Sequence, residues 1–221
     1  PDMYEDSPYY PDTPLLCAVR NPSRSDAYQI RERLEIISLL LEAGASVDLV
    51  ASVGQTPLHH AAHSESQAYH AVIAALLEAG ADVNFTGTCP RRECPLSVLV
   101  TAAEDGTAGT VRMLISAGAV DLDRALQFAV DNGKLRNCAP LLRAGAALPA
   151  VCARLISGGF TADHQRPACA YIESIRAAGG FKAYETAHRQ RLVAIYAPKF
   201  PHLPADMLGR VLEFVFDVGG H

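Results

Sequence analysis

Three histidines stand close together in the sequence, at His59, His60 and His63. His59 and His63 are four residues apart, so their imidazoles would share one face of a helix and could bind zinc together. A zinc site needs further ligands, and no carboxylate follows these histidines at a spacing typical of metal sites. We therefore predict that the three histidines are structural and that the protein holds no metal.

Six cysteines are the other residues that could do chemistry. Four of them lie in apolar helical stretches, where a free thiol behaves as a small hydrophobic side chain. Cys89 and Cys94 lie in a loop, but their spacing is not that of a CxxC pair and no second pair of ligands follows. We predict reduced thiols in a cytoplasmic or nuclear protein. Because the sequence begins at Pro1 rather than Met, the native N-terminus and any targeting signal stay open.

The remaining sequence matches no catalytic or cofactor pattern. Gly158-Gly159 and Gly179-Gly180 lack the GxGxxG or GKS/T context of a phosphate-binding loop, and no GxSxG nucleophile motif occurs. Carboxylates are scattered, and we interpret Asp123 and Arg124 as ordinary surface charges. The net charge of −5 disfavours a nucleic-acid surface, and no apolar run approaches the about 20 residues of a membrane span. We predict a protein that is not an enzyme and has no cofactor, nucleic-acid partner or membrane span.

Two phrases recur along the chain, and such internal repetition decides the architecture. The phrase Leu-Leu-Glu-Ala-Gly-Ala or a variant of it occurs at residues 40–45, 76–81, 114–119 and 141–146, with a weaker echo at 175–180. A second phrase, Thr-Pro-Leu or Cys-Pro-Leu, precedes it at 13–15, 56–58 and 94–96.

Both phrases have a physical meaning. Thr before Pro begins a helix, because the Thr hydroxyl caps free backbone N–H groups and Pro fits the first helical turn. A Leu pair before Gly ends a helix, because Gly accepts the left-handed backbone of that position. Each unit is therefore predicted to be a short helix, a turn, a longer helix and an extended link. Neither helix can bury its apolar face alone, so the units must stack.

Together the phrases resemble the ankyrin repeat. Residues 54–62, Gly-Gln-Thr-Pro-Leu-His-His-Ala-Ala, follow the family's G-x-TPLH-x-AA pattern, and residues 76–84 complete the unit. The resemblance covers about residues 12–180 and decays towards the C-terminus. It implies an all-α solenoid of about five repeats with hairpin fingers that binds other proteins. It also implies that the His59 imidazole bonds the backbone and the Thr56 hydroxyl.

We divide the chain into an array and a cap. The repeats are predicted at about residues 12–48, 49–84, 85–119, 120–146 and 147–180, followed by C-terminal capping helices at 181–221. About ten residues, near 21–26, are inserted in the first repeat, whose second helix is predicted to be extended. We predict two fingers, around 49–55 and 85–94, and none afterwards.

The C-terminal segment is predicted to cap the last repeat. One helix is expected at 181–197, with Tyr184, Ala187, Leu192, Ile195 and Tyr196 as its buried positions. Pro198, Pro201 and Pro204 predict extended chain after it. A last amphipathic helix is expected at about 205–216, with an apolar face formed by Met207, Leu208, Val211, Leu212, Val215 and Phe216.

Two alternatives to a simple binding module stay open. Residues 203–214, Leu-Pro-Ala-Asp-Met-Leu-Gly-Arg-Val-Leu-Glu-Phe, resemble the opening of an F-box. That resemblance implies a substrate-receptor subunit of a ubiquitin ligase, although less than half of a whole F-box is present. The second alternative is a permanent structural subunit of a larger complex, held through the C-terminal helices or the insert of the first repeat.

The ankyrin resemblance implies which residues bind a protein partner of a scaffold or adaptor. In that family the fingers and the exposed face of each short helix line the concave side. The positions predicted on this basis are Val50, Ser52, Val53, Gln55, His63, Phe85, Thr86, Arg91, Arg92, Glu93, Thr101, Asp131 and Asn132. Val50, Val53 and Phe85 could equally pack against a neighbouring finger. The pair Arg91-Arg92 predicts an acidic patch on the partner.

Overall fold

The chain forms a stack of antiparallel helix pairs. The structure is a computed structural model, and it describes residues 13–20, 27–50, 54–88, 95–150, 162–204 and 206–212. The first four predicted repeats contain the pairs α1 (Pro14–Val19) and α2 (Ala27–Glu42), α3 (Pro57–Ala62) and α4 (Tyr69–Glu78), α5 (Val98–Glu104) and α6 (Ala108–Ser116), and α7 (Leu122–Asp131) and α8 (Leu135–Arg143). The predicted all-α fold class is confirmed.

Three further helical stretches and one hairpin complete the described fold. The later elements are α9 (Ala162–Ala177), α10 (Phe181–Tyr196), a 3₁₀ turn at Ala197–Lys199 and a helical stretch at 206–212. Two short strands, β1 (Thr86–Thr88) and β2 (Pro95–Ser97), lie between α4 and α5. The predicted extension of the second helix is confirmed, since α2 has 16 residues and α4 has 10.

Local chemistry sets the ends of α1, α3 and α4 as the repeated phrases predict. The helix start predicted at 94–96 is wrong, because Pro95 and Leu96 belong to β2 and α5 begins at Val98, capped by Ser97. Thr13 caps α1, because its hydroxyl accepts the Leu16 N–H at 3.1 Å. At the other end of the unit, Gly80 adopts φ 88° after α4, and the N–H of Ala81 bonds the carbonyl of Leu76 at 3.0 Å. This left-handed closure ends the helix and turns the chain towards the next repeat.

Stacking builds one continuous core. The short helices α1, α3, α5 and α7 pack side by side in an inner layer, and α2, α4, α6 and α8 do so in an outer layer. Each inner helix contributes a leucine that is at most 1% exposed, namely Leu15, Leu58, Leu99 and Leu126. Full burial of such a side chain contributes about 1.5–3 kcal/mol.

A ladder of polar contacts holds neighbouring repeats in register at the finger end. The Asp48 carboxylate accepts the Asp82 N–H at 3.1 Å. Asn84 bonds the next repeat twice, donating to the Gly118 carbonyl and accepting the Val120 N–H, both at 3.1 Å. Because each link residue satisfies backbone groups of the following unit, the stack has a fixed register.

The C-terminal segment departs from the sequence predictions. The helix expected at 181–197 is present as α10, but its predicted burial is wrong: Ile195 is 51% exposed, Ala187 is exposed, and Tyr184, Leu192 and Tyr196 are only half-buried. Among the numbered helices, α10 packs mainly on α9, and its Glu185 also bonds Arg143 of α8 at 2.8 Å.

The proline segment and the last helix also differ from expectation. Residues 197–203 form a 3₁₀ turn and further turns instead of extended chain, because Phe200 N–H bonds the Ala197 carbonyl. In the helical stretch 206–212, Leu208 is 3% exposed, whereas Met207 and Val211 are 50% and 48% exposed. Only one side of that predicted apolar face is covered within the described residues. Val215 and Phe216 lie outside them.

Candidate partner-binding surface

The hairpin between α4 and α5 is the predicted finger of the third repeat. Its strands are antiparallel, with Thr86 opposite Ser97 and Gly87 opposite Leu96. The finger expected at 85–94 is therefore confirmed in its first strand, whereas the second strand, Pro95–Ser97, follows the predicted range. Residues 89–94 lie outside the described residues. Ser97 also caps α5 by accepting the Val100 N–H, so the second strand leads directly into an inner helix.

The following repeat anchors this hairpin from one side. The Ser97 hydroxyl donates to the Asp121 carboxylate at 2.9 Å. The Arg124 guanidinium donates to the Pro95 carbonyl, and its carbon atom lies 5.8 Å from the centre of the Phe128 ring. Both contacts join the base of the finger to α7, the next inner helix.

The preceding repeat touches the hairpin from the other side through backbone. A Cβ atom added to Gly87 would collide with the carbonyl oxygen of Gly54 and would lie 3.5 Å from the Cα of Gln55. The strand β1 therefore packs directly against the segment that leads into α3. Such close approach is possible only for a residue without a side chain.

Replacing Gly87 by Ala tests this backbone contact. We expect it to lower the free energy of unfolding by about 1–3 kcal/mol, because the added methyl group must push the two segments apart. Chemical denaturation would measure the loss. Thr86→Ala, on the exposed side chain of the preceding residue, serves as the control. Equal stability of Gly87→Ala and the wild type would contradict the contact.

His59 joins the finger to the helix beneath it. Its Nδ1 accepts the Thr56 hydroxyl at 2.9 Å and lies 3.4 Å from the Thr56 N–H, while Nε2 donates to the Leu96 carbonyl of β2 at 3.1 Å. The Phe85 ring meets the imidazole edge-on, with centroids 5.9 Å apart. The predicted bonds of His59 to backbone and to the Thr56 hydroxyl are confirmed. This pattern uses both ring nitrogens of a neutral imidazole.

Burial lowers the pKa of His59 below its ordinary value of 6.5, an effect that the Leu96 carbonyl and Asp48 partly oppose. The pKa of His70 is also lowered, by burial and by the nearby Arg112. Both groups are therefore neutral in the folded chain at a pH where the unfolded chain already takes up protons.

The free energy of unfolding is consequently expected to fall as the pH decreases below 6.5 and to keep its full value above that pH. Each histidine contributes a slope of at most about 1.4 kcal/mol per pH unit. Denaturation curves at several pH values below 6.5 would show a smaller slope for His59→Gln than for the wild type. An unchanged slope would contradict the role of burial.

Three of the predicted partner-binding residues meet at the base of the finger. Gln55 is half-buried beside Gly87, Phe85 is half-buried against His59, and Thr86 is exposed on β1. Phe85 therefore contacts the inner helix α3 of the second repeat, a contact that neither predicted possibility, partner binding or packing against a neighbouring finger, included.

Two other predicted residues lie apart from this base. Val50 is 38% exposed on the link after α2. His63 is exposed at the opposite end of α3, where its Nε2 lies 3.2 Å from the Asp105 carboxylate. Ser52, Val53, Arg91, Arg92 and Glu93 lie outside the described residues.

The exposure expected of Thr101, Asp131 and Asn132 is wrong. They are 4%, 6% and 9% exposed, because α5 and α7 pack closely at these positions. Their polar groups bond inside the stack: the Thr101 hydroxyl donates to the Ser97 carbonyl, Asp131 accepts from Gln127, and Asn132 donates to the Phe128 carbonyl. Their burial removes these side chains from the exposed inner surface of the third and fourth repeats.

Sequence reasoning missed the residues that hold the finger in place. Arg124, interpreted as a surface charge, donates to the Pro95 carbonyl across the repeat boundary. The Asp123 carboxylate likewise accepts the Ala147 N–H at 2.7 Å. No local pattern marks either contact, since the partners are 29 and 24 residues away and are backbone groups.

Metal and membrane sites were also sought in the described part of the chain. No group of three or more His, Cys, Asp or Glu side chains there is arranged to hold a metal ion. None of the helices described is both long and apolar enough to cross a bilayer.

Comparison with known proteins identifies the unit that carries this surface. Residues 53–88, from the segment before α3 to the end of β1, match the family model of the ankyrin repeat. No curated protein matches the chain. Ankyrin repeats are general modules for binding other proteins. Residues 53–88 are therefore an ankyrin repeat, and the described helix pairs on either side of it stack on it in the manner of such repeats.

Proposed function

We propose that the protein is a scaffold or adaptor that binds a partner protein through the fingers and concave face of its second and third repeats. The observation that carries the proposal is the anchored hairpin. Contacts to Gly54 on one side and to Asp121 and Arg124 on the other fix its strands. A surface held in one conformation before binding loses less conformational entropy when the complex forms.

The chemistry of the finger suggests the kind of partner. The connection between β1 and β2 has the sequence Cys-Pro-Arg-Arg-Glu-Cys, which includes the basic pair Arg91-Arg92. The chain as a whole has a net charge of −5, so this pair is a local exception to its acidic balance. We infer an acidic patch on the partner, which would be attracted to the finger and repelled by most other surfaces.

Affinity capture from the source cells tests this proposal. The wild-type chain would be compared with Arg91→Glu/Arg92→Glu and with a control of equal charge change, Lys182→Glu/Arg191→Glu, on α10. We expect the finger variant to retain partners about 10-fold less, because losing two rim charge pairs costs about 1.4 kcal/mol. The control variant is expected to retain them fully. Equal recovery by the finger variant would contradict the proposal.

A second candidate is docking through the C-terminal segment, as a subunit of a larger complex. One observation favours it: Phe200, Leu203, Met207 and Val211 are between 38% and 50% exposed although they are large and apolar. Exposed apolar groups of this kind are typical of protein interfaces. Met207→Glu/Val211→Glu, included in the same capture experiment, would lose the partner only under this candidate. Binding to the adaptor that F-box proteins use, or to elongin, would identify the ubiquitin-ligase version of it.

A further inference from the structure

A groove lies between α10 and the helical stretch 206–212. Its volume is about 500 Å³, within the range of about 300–1,000 Å³ that is typical of ligand pockets. Val193 and Ala194 of α10 line one side of it, and Gly209 lines the other. The polar side chains of the lining are those of Arg189, Gln190, Asp206 and Arg210. The lining therefore combines an apolar part with polar groups, two of which are arginines.

Gly209 keeps this space open. Glycine is unfavourable inside a helix, and the usual reasons for finding it there are a left-handed backbone or the close approach of another segment. Neither reason applies to Gly209 among the described residues. Its φ is not in the left-handed region, and a Cβ atom added to it would meet nothing closer than Val193 Cγ2, at 4.0 Å. The groove therefore has room for a side chain that comes from elsewhere.

The apolar part of the groove adjoins further exposed apolar surface. Met207 and Val211, each one residue after a polar side chain of the lining, are 50% and 48% exposed. Phe200 and Leu203, in the turns between the two helices, are 45% and 38% exposed. A small-molecule pocket encloses its ligand, whereas an apolar patch that extends beyond a pocket and has polar neighbours is typical of a protein interface. We therefore expect the occupant to be a segment of a protein.

Charge indicates what this segment should carry. Residues 181–212 include five Lys or Arg and two Asp or Glu, whereas the whole chain has a net charge of −5. One of the two acids, Glu185, is already paired with Arg143 of α8 at 2.8 Å. Arg210 is exposed, and no ion pair within the described residues involves it. An acidic segment would therefore be attracted to the groove, and a basic one repelled.

We propose that this groove binds an acidic segment of a partner protein. A large apolar side chain of the segment enters the space beside Ala194 and Gly209, and a neighbouring carboxylate pairs with Arg210. This assignment rests on the second candidate function, docking through the C-terminal segment. It does not depend on the partner that the finger binds.

Gly209→Ala tests whether the groove is open. The Tm of this variant is expected to be about 2–4 °C above that of the wild type, because alanine favours the helix and meets no neighbour. Scanning calorimetry of the full chain would measure the difference. A Tm below that of the wild type would show that another part of this chain already fills the space, and it would overturn the proposal.

A phage-displayed library of random peptides tests the chemistry of the occupant. The library is selected on the full wild-type chain, with counter-selection on Gly209→Leu/Arg210→Glu, which fills the groove and reverses the charge beside it. Enriched peptides are expected to combine a large apolar residue with nearby Asp or Glu. Enrichment of basic peptides, or no enrichment beyond the counter-selected pool, would overturn the proposal.

Single substitutions show whether an enriched peptide binds in the groove. Fluorescence anisotropy would give its Kd for each variant of the full chain. Gly209→Leu and Arg210→Glu are each expected to raise the Kd at least about 10-fold. Ala183→Leu and Arg191→Glu, at exposed positions of α10 outside the groove, are the matched controls and should leave the Kd unchanged. A wild-type Kd for Gly209→Leu, or equal weakening by the controls, would contradict binding in the groove.

Partner capture separates the groove from the second candidate function itself. If Met207→Glu/Val211→Glu loses the partner while Gly209→Leu and Arg210→Glu retain it, the second candidate stands and the groove is overturned. Retention by all of these variants would contradict both. A dimeric native mass that becomes monomeric in Gly209→Leu would also overturn the proposal, because a second copy of this chain would then be the occupant.

Discussion

Replacing His59 by Ala is expected to lower the free energy of unfolding by about 3 kcal/mol. The change removes the bonds to Thr56 and to the Leu96 carbonyl, leaves a buried acceptor without its donor, and opens a cavity beside Phe85. His59 is 0% exposed, so water cannot easily replace the lost contacts. Urea denaturation followed by circular dichroism would measure the difference.

His63→Ala is the matched control for that measurement. The His63 side chain is 67% exposed, and its contact with Asp105 lies at the surface. Exposed pairs of this kind contribute about 0–1 kcal/mol. A loss below about 1 kcal/mol for His59→Ala, or losses of the same size for both variants, would show that His59 does not join the repeats.

Replacing Gly106 by Ala is the second change with a large expected effect, again about 3 kcal/mol. A Cβ atom there would collide with the Ala62 carbonyl of the preceding repeat and would lie 2.8 Å from the Ala102 carbonyl. Both neighbours are backbone atoms, so the two repeats must separate to make room. Denaturation of the purified variant would report the loss.

Gly118→Ala separates this steric effect from backbone strain. Gly118 has φ 96°, which strains any other residue, but nothing lies within 4 Å of its missing Cβ. A substitution there should cost about 1 kcal/mol. If Gly106→Ala were no more costly than Gly118→Ala, the close approach of the two repeats would be contradicted.

Most of the fold can be predicted from the repeated phrases, because each phrase sets a helix end through contacts between residues close in sequence. The Thr-Pro-Leu-His phrase predicts both the start of α3 and the bonding of His59 to Thr56, since donor and acceptor are three residues apart. The Leu-Leu phrase before Gly80 predicts the end of α4 for the same reason. Contacts between residues one helical turn apart can be read from sequence spacing.

Contacts between repeats could not be predicted in this way. Thr101 was expected to be exposed, because inner helices of the family present such positions to a partner, yet the close packing of α5 on α7 buries it. Nothing in the sequence around Arg124 indicates that its side chain donates to the Pro95 carbonyl of β2, which lies 29 residues away. In the last helix, apolar residues lie on more than one side. Their spacing therefore does not indicate that Leu208 is covered while Met207 is exposed.

The candidate site was therefore only partly predictable. The finger could be placed because the link between the second and third repeats is long and turn-rich. Its anchors depend on the distance between inner helices, which is set by packing across the whole stack.

Site-specific cross-linking tests the central claim most directly. A photo-reactive amino acid would replace Thr86, an exposed residue of the finger, or Ser116, an exposed residue at the end of outer helix α6. On irradiation with extract from the source cells, we predict that Thr86 cross-links the captured partner and Ser116 does not. Cross-linking of the same partner from Ser116 but not from Thr86 would place it on the outer face and contradict the account.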